Sequence, residues 1–263
     1  MKTFTADDIS ALKTVFSCID NTTLNGDDTH AKVRQLCDDS LRMIDTANGI
    51  GPVAAVCVYP VFVRTARQTL LGSNIKVASV AGAFPAGQSP IAVKVQEVKY
   101  AVDEGTDEID MVLSRGALLE GAKQQVFDEV AAIREVCQQC TLKVILETGE
   151  LKEAALIADA SKIAIAAGAD FIKTSTGKIS VGATLEAAET MLKVVADYAK
   201  FSKKTVGFKA AGGISQPLEA LEYYRKAQKI LGINNITNQI FRIGVSRLTT
   251  NLFQLLTIQK TSI

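Results

Sequence analysis

Lys173 and Lys209 each close a short apolar run, DFIK and GFK. A lysine that is buried or crowded there can lose its proton, and the free amine then attacks a carbonyl to form an imine. Ordinary lysine does this badly. With a reference pKa of ~10.4 only about one molecule in a thousand is neutral at pH 7.4, so a shift of roughly three units, or ~4 kcal/mol, is needed. A second ammonium about 6 Å away, at an effective dielectric of ~20, contributes roughly 3 kcal/mol, and partial desolvation can supply the rest. A lysine pair is thus sufficient for imine chemistry, although the same positions also suit two lysines each paired with a carboxylate. Three carboxylates stand at comparable places: Asp20 after an apolar run, Asp110 at the end of EID and Glu147 directly after KVIL.

A second signal comes from glycine. TSTGK (174–178), AAGGI (210–214) and IGVSR (243–247) offer small residues, backbone amides, hydroxyls and cations in three separate loops. Exposed amides near a helix N-terminus cradle an anion, so these loops suit a phosphate as well as they suit ordinary tight turns.

Other familiar patterns fail in their context. TGKI is not a P-loop, because Ile172 stands where its first glycine should be and Ile179 follows Lys178. GIGPVA (49–54) precedes an apolar run, whereas a dinucleotide fingerprint follows a strand. Cys137 and Cys140 form a lone CxxC near a helix end, and His30 is the one histidine, so no metal site and no histidine-based triad is expected. Cys57 lies inside an apolar run and reads first as packing.

The elements that must position these groups alternate in type. Short β-rich runs near 14–19, 53–58, 75–80, 108–112, 143–146, 171–173, 205–208 and 239–243 are separated by longer stretches of helical period. In 122–138, for example, Val126, Val130, Ile133 and Val136 mark one buried helix face; 153–167 and 185–199 are similar. Eight βα units can close into a barrel or spread as an open sheet. The polar residues favour the barrel: Asp20, Asp110, Glu147, Lys173 and Lys209 all fall at strand ends, and a closed ring would bring them to one mouth. The expected fold is an α/β, (β/α)8 TIM barrel in a single domain spanning 1–263.

Composition agrees with a small-molecule enzyme. The 263 residues are 48% hydrophobic and 22% charged, enough for a sizeable core without a linker dividing it. Twenty-nine basic and 28 acidic residues give a formal charge of +1, so no global field favours nucleic acid or a membrane surface. Five cysteines in a chain too long to need disulfide staples, without an apolar leader or long apolar span, point to the cytoplasm.

In this order, IDNTTLN (19–25), AAVCVYP (54–60), EIDMVLSRGALLEG (108–121), KVILETGEL (143–151), DFIKTSTGK (170–178) and GFKAAGG (207–213) closely resemble the motif series of the deoxyribose-phosphate aldolase family. The resemblance implies a metal-free and cofactor-free (β/α)8 barrel that interconverts 2-deoxy-D-ribose 5-phosphate with acetaldehyde and D-glyceraldehyde 3-phosphate. It implies Lys173 as the Schiff-base nucleophile, Lys209 as the neighbour lowering its pKa, and Asp110 as the acid/base residue. Asp20 and Cys57 match pocket positions, and Gly177, Lys178, Gly212, Gly213 and Ser246 match positions that hold the phosphate. Family members are often homodimers; the sequence itself does not set the oligomeric state. Two departures stand out: Ala210 and Ser215 replace a proline and an arginine after strand seven, while Arg247 replaces a serine after strand eight. Arg247 is accordingly expected to carry the phosphate-site charge that the strand-seven arginine usually supplies.

Overall fold

The computed structural model describes residues 4–202, 204–232 and 236–258. Eight parallel strands, β1 (Ile19–Thr22), β2 (Ala55–Val58), β3 (Lys76–Ala81), β4 (Glu108–Val112), β5 (Thr141–Ile145), β6 (Phe171–Lys173), β7 (Gly207–Ala211) and β8 (Phe241–Val245), close in sequence order into a barrel. β1 pairs with both β2 and β8, so no sheet edge is left open. The expected (β/α)8 barrel is therefore the fold.

Strand alternation divides the interior from the outer core. Ile109 and Met111 of β4, Leu142 and Val144 of β5, and Ile172 of β6 belong to the large apolar cluster shared with the helices. The residues between them, Glu108, Asp110, Lys143 and Lys173, form buried ion pairs with one another. On the β2–β3 side the alternate residues Ala55, Cys57, Ala78 and Val80 instead make a small separate apolar cluster with Leu24. The barrel thus has one apolar side and one charged side.

Helices Lys123–Cys137, Ala154–Ala166 and Leu185–Phe201 agree with the helical stretches expected between strands. The first strand differs. Residues 14–17 belong to helix Ala6–Ser17, which opens with a reciprocal Thr5–Asp8 capping box and buries Leu12, Val15 and Phe16 on one face. The run TVFSCI satisfies a helical period as well as a strand period, and the cap decides between them. β7 begins two residues later than the expected 205–208 and continues to Ala211, so Lys209 is central in its strand. β8 is likewise displaced toward its C-terminal end, and Asp20 is within β1, not after it, whereas Asp110 lies in β4 as expected. Among the described residues no helix is long and apolar enough to cross a membrane.

Candidate active site

Four cations and three carboxylates fill the charged side of the barrel. Register sets the cations side by side: Lys173 is paired with Lys209, and Lys209 with Arg242, across β6, β7 and β8. Glu108 and Asp110 project from β4 two residues apart, and Lys143 stands opposite Asp110 on β5. Asp20 completes the group from β1. All seven residues are buried.

The lysines are not equally supported. Lys143 Nζ reaches Asp110 Oδ1 at 2.8 Å, Glu108 Oε2 at 2.5 Å and Asp20 Oδ2 at 3.5 Å. Lys209 Nζ donates to Asp110 Oδ2 at 2.7 Å and also contacts Asp20 Oδ2. Lys173 has one carboxylate, Asp110 Oδ2, at 2.7 Å. Because Lys173 and Lys209 share that oxygen at equal distance, their nitrogens stand within twice 2.7 Å of each other.

Charge balance turns this inequality into chemistry. Fully ionised, the cluster carries one more positive than negative charge, and an uncompensated buried charge costs several kcal/mol. The proton is lost most readily from the least supported amine. Burial lowers the pKa of Lys173, the Lys209 ammonium adds to that, and the single Asp110 contact does not reverse it. Burial also opposes the charges of Lys209 and Lys143, but their carboxylates outweigh it and raise both pKa values. Asp110 stays ionised: against burial, Lys143, Lys173 and Lys209 hold its carboxyl well below the usual range. Asp20 is depressed likewise by Lys209, Arg242 and Lys143.

Neighbouring residues fix the cations. Arg242 donates to Glu108 Oε1 at 2.8 Å and to Asp20 Oδ1 at 2.6 Å, and its guanidinium lies 5.7 Å from the centre of the Phe171 ring. Gly207 leaves room for that ring, since a Cβ there would come within 2.2 Å of it. Gly244 does the same for the Lys209 side chain, whose Cε would be 3.0 Å from an added Cβ.

Above the cluster opens a cavity of about 770 Å³, lined by Lys173 and by the loops after β1, β6, β7 and β8. Of the three lysines in the cluster, Lys173 alone lines it. Gly177, Lys178, Gly212, Gly213, Ser246 and Arg247 also line it, as does Ser215. Asp20, Asp110, Cys57 and Lys209 are not among the lining residues. Gly212 and Gly213 have φ of +91° and +85°, which L side chains rarely adopt, and a Cβ on Gly182 would stand 2.3 Å from the Gly212 carbonyl oxygen. Lys178 Nζ donates across the mouth to the Leu24 carbonyl. Arg247 is exposed, has no ion pair among the described residues, and directly precedes helix Leu248–Ile258. Burial pushes the Cys57 thiol up to about 11.

Four of the five ionisable groups expected at one mouth do converge: Asp20, Asp110, Lys173 and Lys209. Glu147 does not. Its backbone turns into the left-handed region at φ 57°, and its carboxylate accepts from Thr176. Lys143, Glu108 and Arg242 were not expected in the site. Their signal is a charged residue inside an otherwise apolar strand, in step with Asp110 or Lys209 on the inward face. His30 opens helix His30–Arg42 and shares a 2.7 Å hydrogen bond with Thr65. Among the described residues no group of three or more His, Cys, Asp and Glu side chains is arranged to hold a metal ion.

This architecture has known counterparts. The sequence profile of the DeoC/LacD family aldolase matches residues 14–246. The crystal structure of a candidate deoxyribose-phosphate aldolase from Coccidioides immitis is 30% identical, with a TM-score of 0.78 over 93% of this chain and 86% of that one. A tetrameric deoxyribose phosphate aldolase from Aeropyrum pernix is 26% identical, with a TM-score of 0.71 over 95% and 97% of the two chains. A Toxoplasma gondii structure at 23% identity shares the fold, with a TM-score of 0.83 over 97% of this chain and 96% of that one. The chain belongs to the DeoC/LacD family of class I, Schiff-base aldolases.

Proposed function

We propose that the protein cleaves 2-deoxy-D-ribose 5-phosphate reversibly to acetaldehyde and D-glyceraldehyde 3-phosphate, with Lys173 as the imine-forming nucleophile. One observation carries the assignment of the nucleophile: of the three lysines in the barrel's charged cluster, Lys173 alone both lines the cavity and is held by a single carboxylate. A neutral amine there meets the C1 aldehyde of the open-chain sugar. Addition gives a carbinolamine, and loss of water gives the protonated imine, whose N–H replaces one of the ammonium N–H groups facing Asp110.

The imine is the electron sink. A base removes the C3 hydroxyl proton, the C2–C3 bond breaks, and its electron pair moves to nitrogen as an enamine while glyceraldehyde 3-phosphate leaves. Protonation at C2 and hydrolysis then release acetaldehyde and return free Lys173. Asp110 is the proton relay in this scheme, because the oxygen that accepts from Lys173 also accepts from Lys209, which can restore the balance as the proton moves. Lys209 stays cationic between Asp20 and Asp110 and disfavours a second charge on Lys173. The depressed pKa of Asp20 keeps it ionised, holding Lys209 in place. Cys57, protonated and within the small apolar cluster, borders the site close enough to feel Asp110 and the three lysines.

The phosphate is held by the amides of Gly177, Gly212 and Gly213, by Ser246, and by the charges of Lys178 and Arg247. These groups share one cavity with Lys173, and loops after strands seven and eight, with a helix N-terminus, are the usual anion site of such barrels. The test is glyceraldehyde 3-phosphate release from deoxyribose 5-phosphate, set against a panel of longer sugar phosphates. Efficient cleavage of the deoxy sugar, abolished in Lys173→Leu, is the expected result. Preference for a longer sugar would make this a different class I aldolase, and no turnover of any would make it a silent phosphate-binding barrel.

A further inference from the structure

Glu147 is the one strand-end carboxylate that the chemistry above leaves unused, and it is fully buried. It forms no ion pair with any described residue, yet burying an unpaired carboxylate is costly. Its acceptor capacity goes to a single neighbour: the Thr176 amide donates to Oε1 at 3.2 Å and the Thr176 hydroxyl donates to Oε2. Thr176 Oγ1 in turn accepts from the Lys178 amide at 3.1 Å. A parallel tie lies beside it, from the Thr148 amide to the Thr174 carbonyl at 2.9 Å.

The backbone is bent to make this contact. Glu147 has φ 57° and ψ 60°, a region that residues with side chains enter at a cost and that persists only where surrounding structure demands it. Its neighbour Gly149 is similarly constrained, since a Cβ would come within 2.3 Å of the Val181 carbonyl oxygen. At the far end of the chain of hydrogen bonds, Thr176, Gly177 and Lys178 line the cavity.

We propose that Glu147 is a positioning residue: its carboxylate clamps Thr176, and Thr176 fixes the Lys178 amide, so that the loop after β6 is preformed for an anion. The proposal rests on the reading that this loop takes the substrate's phosphate. A loop held by a buried carboxylate from the neighbouring strand does not have to be ordered by the ligand, which lowers the cost of binding.

Glu147→Gly is the informative variant, because glycine adopts this backbone freely and the clamp is removed without new backbone strain. The KM for deoxyribose 5-phosphate should rise on the order of tenfold, the size expected for losing a hydrogen bond to a charged group. Borohydride trapping of Lys173 by acetaldehyde should keep its rate. In a double-mutant cycle with Thr176→Val, the pair should be no worse than the weaker single variant, because both break one chain of contacts. Hydrogen exchange at the Thr176 and Lys178 amides should accelerate in the unliganded protein.

Should Glu147→Gly fail to fold, Glu147→Gln keeps a carbonyl for the Thr176 amide but replaces the charged acceptor of the Thr176 hydroxyl by an N–H donor, and should show the same changes more weakly. Additive effects in the cycle, equal loss of trapping and of affinity, or unchanged exchange at both amides would each overturn the clamp. If the wild type does not cleave deoxyribose 5-phosphate, it is the substrate reading that fails, and the exchange rates alone decide on the clamp.

Discussion

Replacing Lys209 by Met should move the pH dependence of catalysis more than its maximum. The two lysine nitrogens lie within twice 2.7 Å of each other, since both are 2.7 Å from Asp110 Oδ2. At an effective dielectric of ~20 their repulsion is about 3 kcal/mol, or roughly two pKa units. Losing Lys209 removes that repulsion and also leaves Asp110 with one competitor fewer for Lys173. Both effects raise the pKa of Lys173. Catalysis needs the free amine, so kcat/KM climbs with pH through that pKa, and its acidic limb should move upward by about two units. Below the wild-type limb the variant should then be about a hundredfold slower, and it should recover much of its activity about two pH units higher. The assay is kcat/KM for deoxyribose 5-phosphate from pH 6 to 10, with imine trapping followed in parallel. A limb at the wild-type pH with only a lower plateau would refute the claim that Lys209 helps to lower the pKa of Lys173.

Other substitutions probe the remaining parts. Arg247→Ala should raise KM for the phosphorylated sugar with little effect on unphosphorylated deoxyribose, whereas an equal change for both would remove Arg247 from the phosphate site. Lys173→Met should abolish turnover yet stabilise the fold at neutral pH. A lysine with a lowered folded pKa costs stability at pH values below that pKa, and the cost fades as pH rises toward the unfolded value of ~10.4; thermal melts should show the variant's advantage shrinking over that window. Arg242→Met leaves Glu108 and Asp20 short of a cation inside the barrel and should cost about 3 to 5 kcal/mol in denaturant unfolding, the range for breaking a buried pair. A loss near zero would mean that Lys143 compensates fully.

Much of this was legible in the sequence, because βα alternation fixes which residues share a barrel and polar residues at strand ends mark its mouth. Lys173, Lys209, Asp110 and Asp20 stood out for that reason, and the glycine loops mark the cavity wall. Three kinds of information were absent. Strand ends could not be set where a run fits both periods, as at 14–19, and the capping box of Thr5 and Asp8 decided that case. A carboxylate after a strand does not declare which way it turns: the left-handed backbone at Glu147 sends its side chain to Thr176. The partners of a buried lysine depend on register across strands far apart in sequence, so the pairing of Lys143 with Asp110, Glu108 and Asp20 was invisible.

That last omission alters the physical account of the nucleophile. A repelling lysine pair was sufficient in principle, yet both lysines also hold Asp110, and Lys209 holds Asp20 as well. The alternative of two lysines each paired with a carboxylate therefore holds in geometry for both, and for Lys209 its carboxylates outweigh burial. Lys173 differs because burial acts on it with the least carboxylate support, and repulsion from Lys209 is an added term. Selection among the three lysines of the barrel cluster, more than the presence of a pair, distinguishes the reacting one.

The central claim is tested most directly by borohydride reduction in the presence of deoxyribose 5-phosphate, followed by peptide mass mapping. A substrate-dependent adduct on the peptide carrying Lys173, absent in Lys173→Leu, is the predicted result. An adduct on Lys209 or Lys143, or active enzyme that yields no adduct at all, would contradict it.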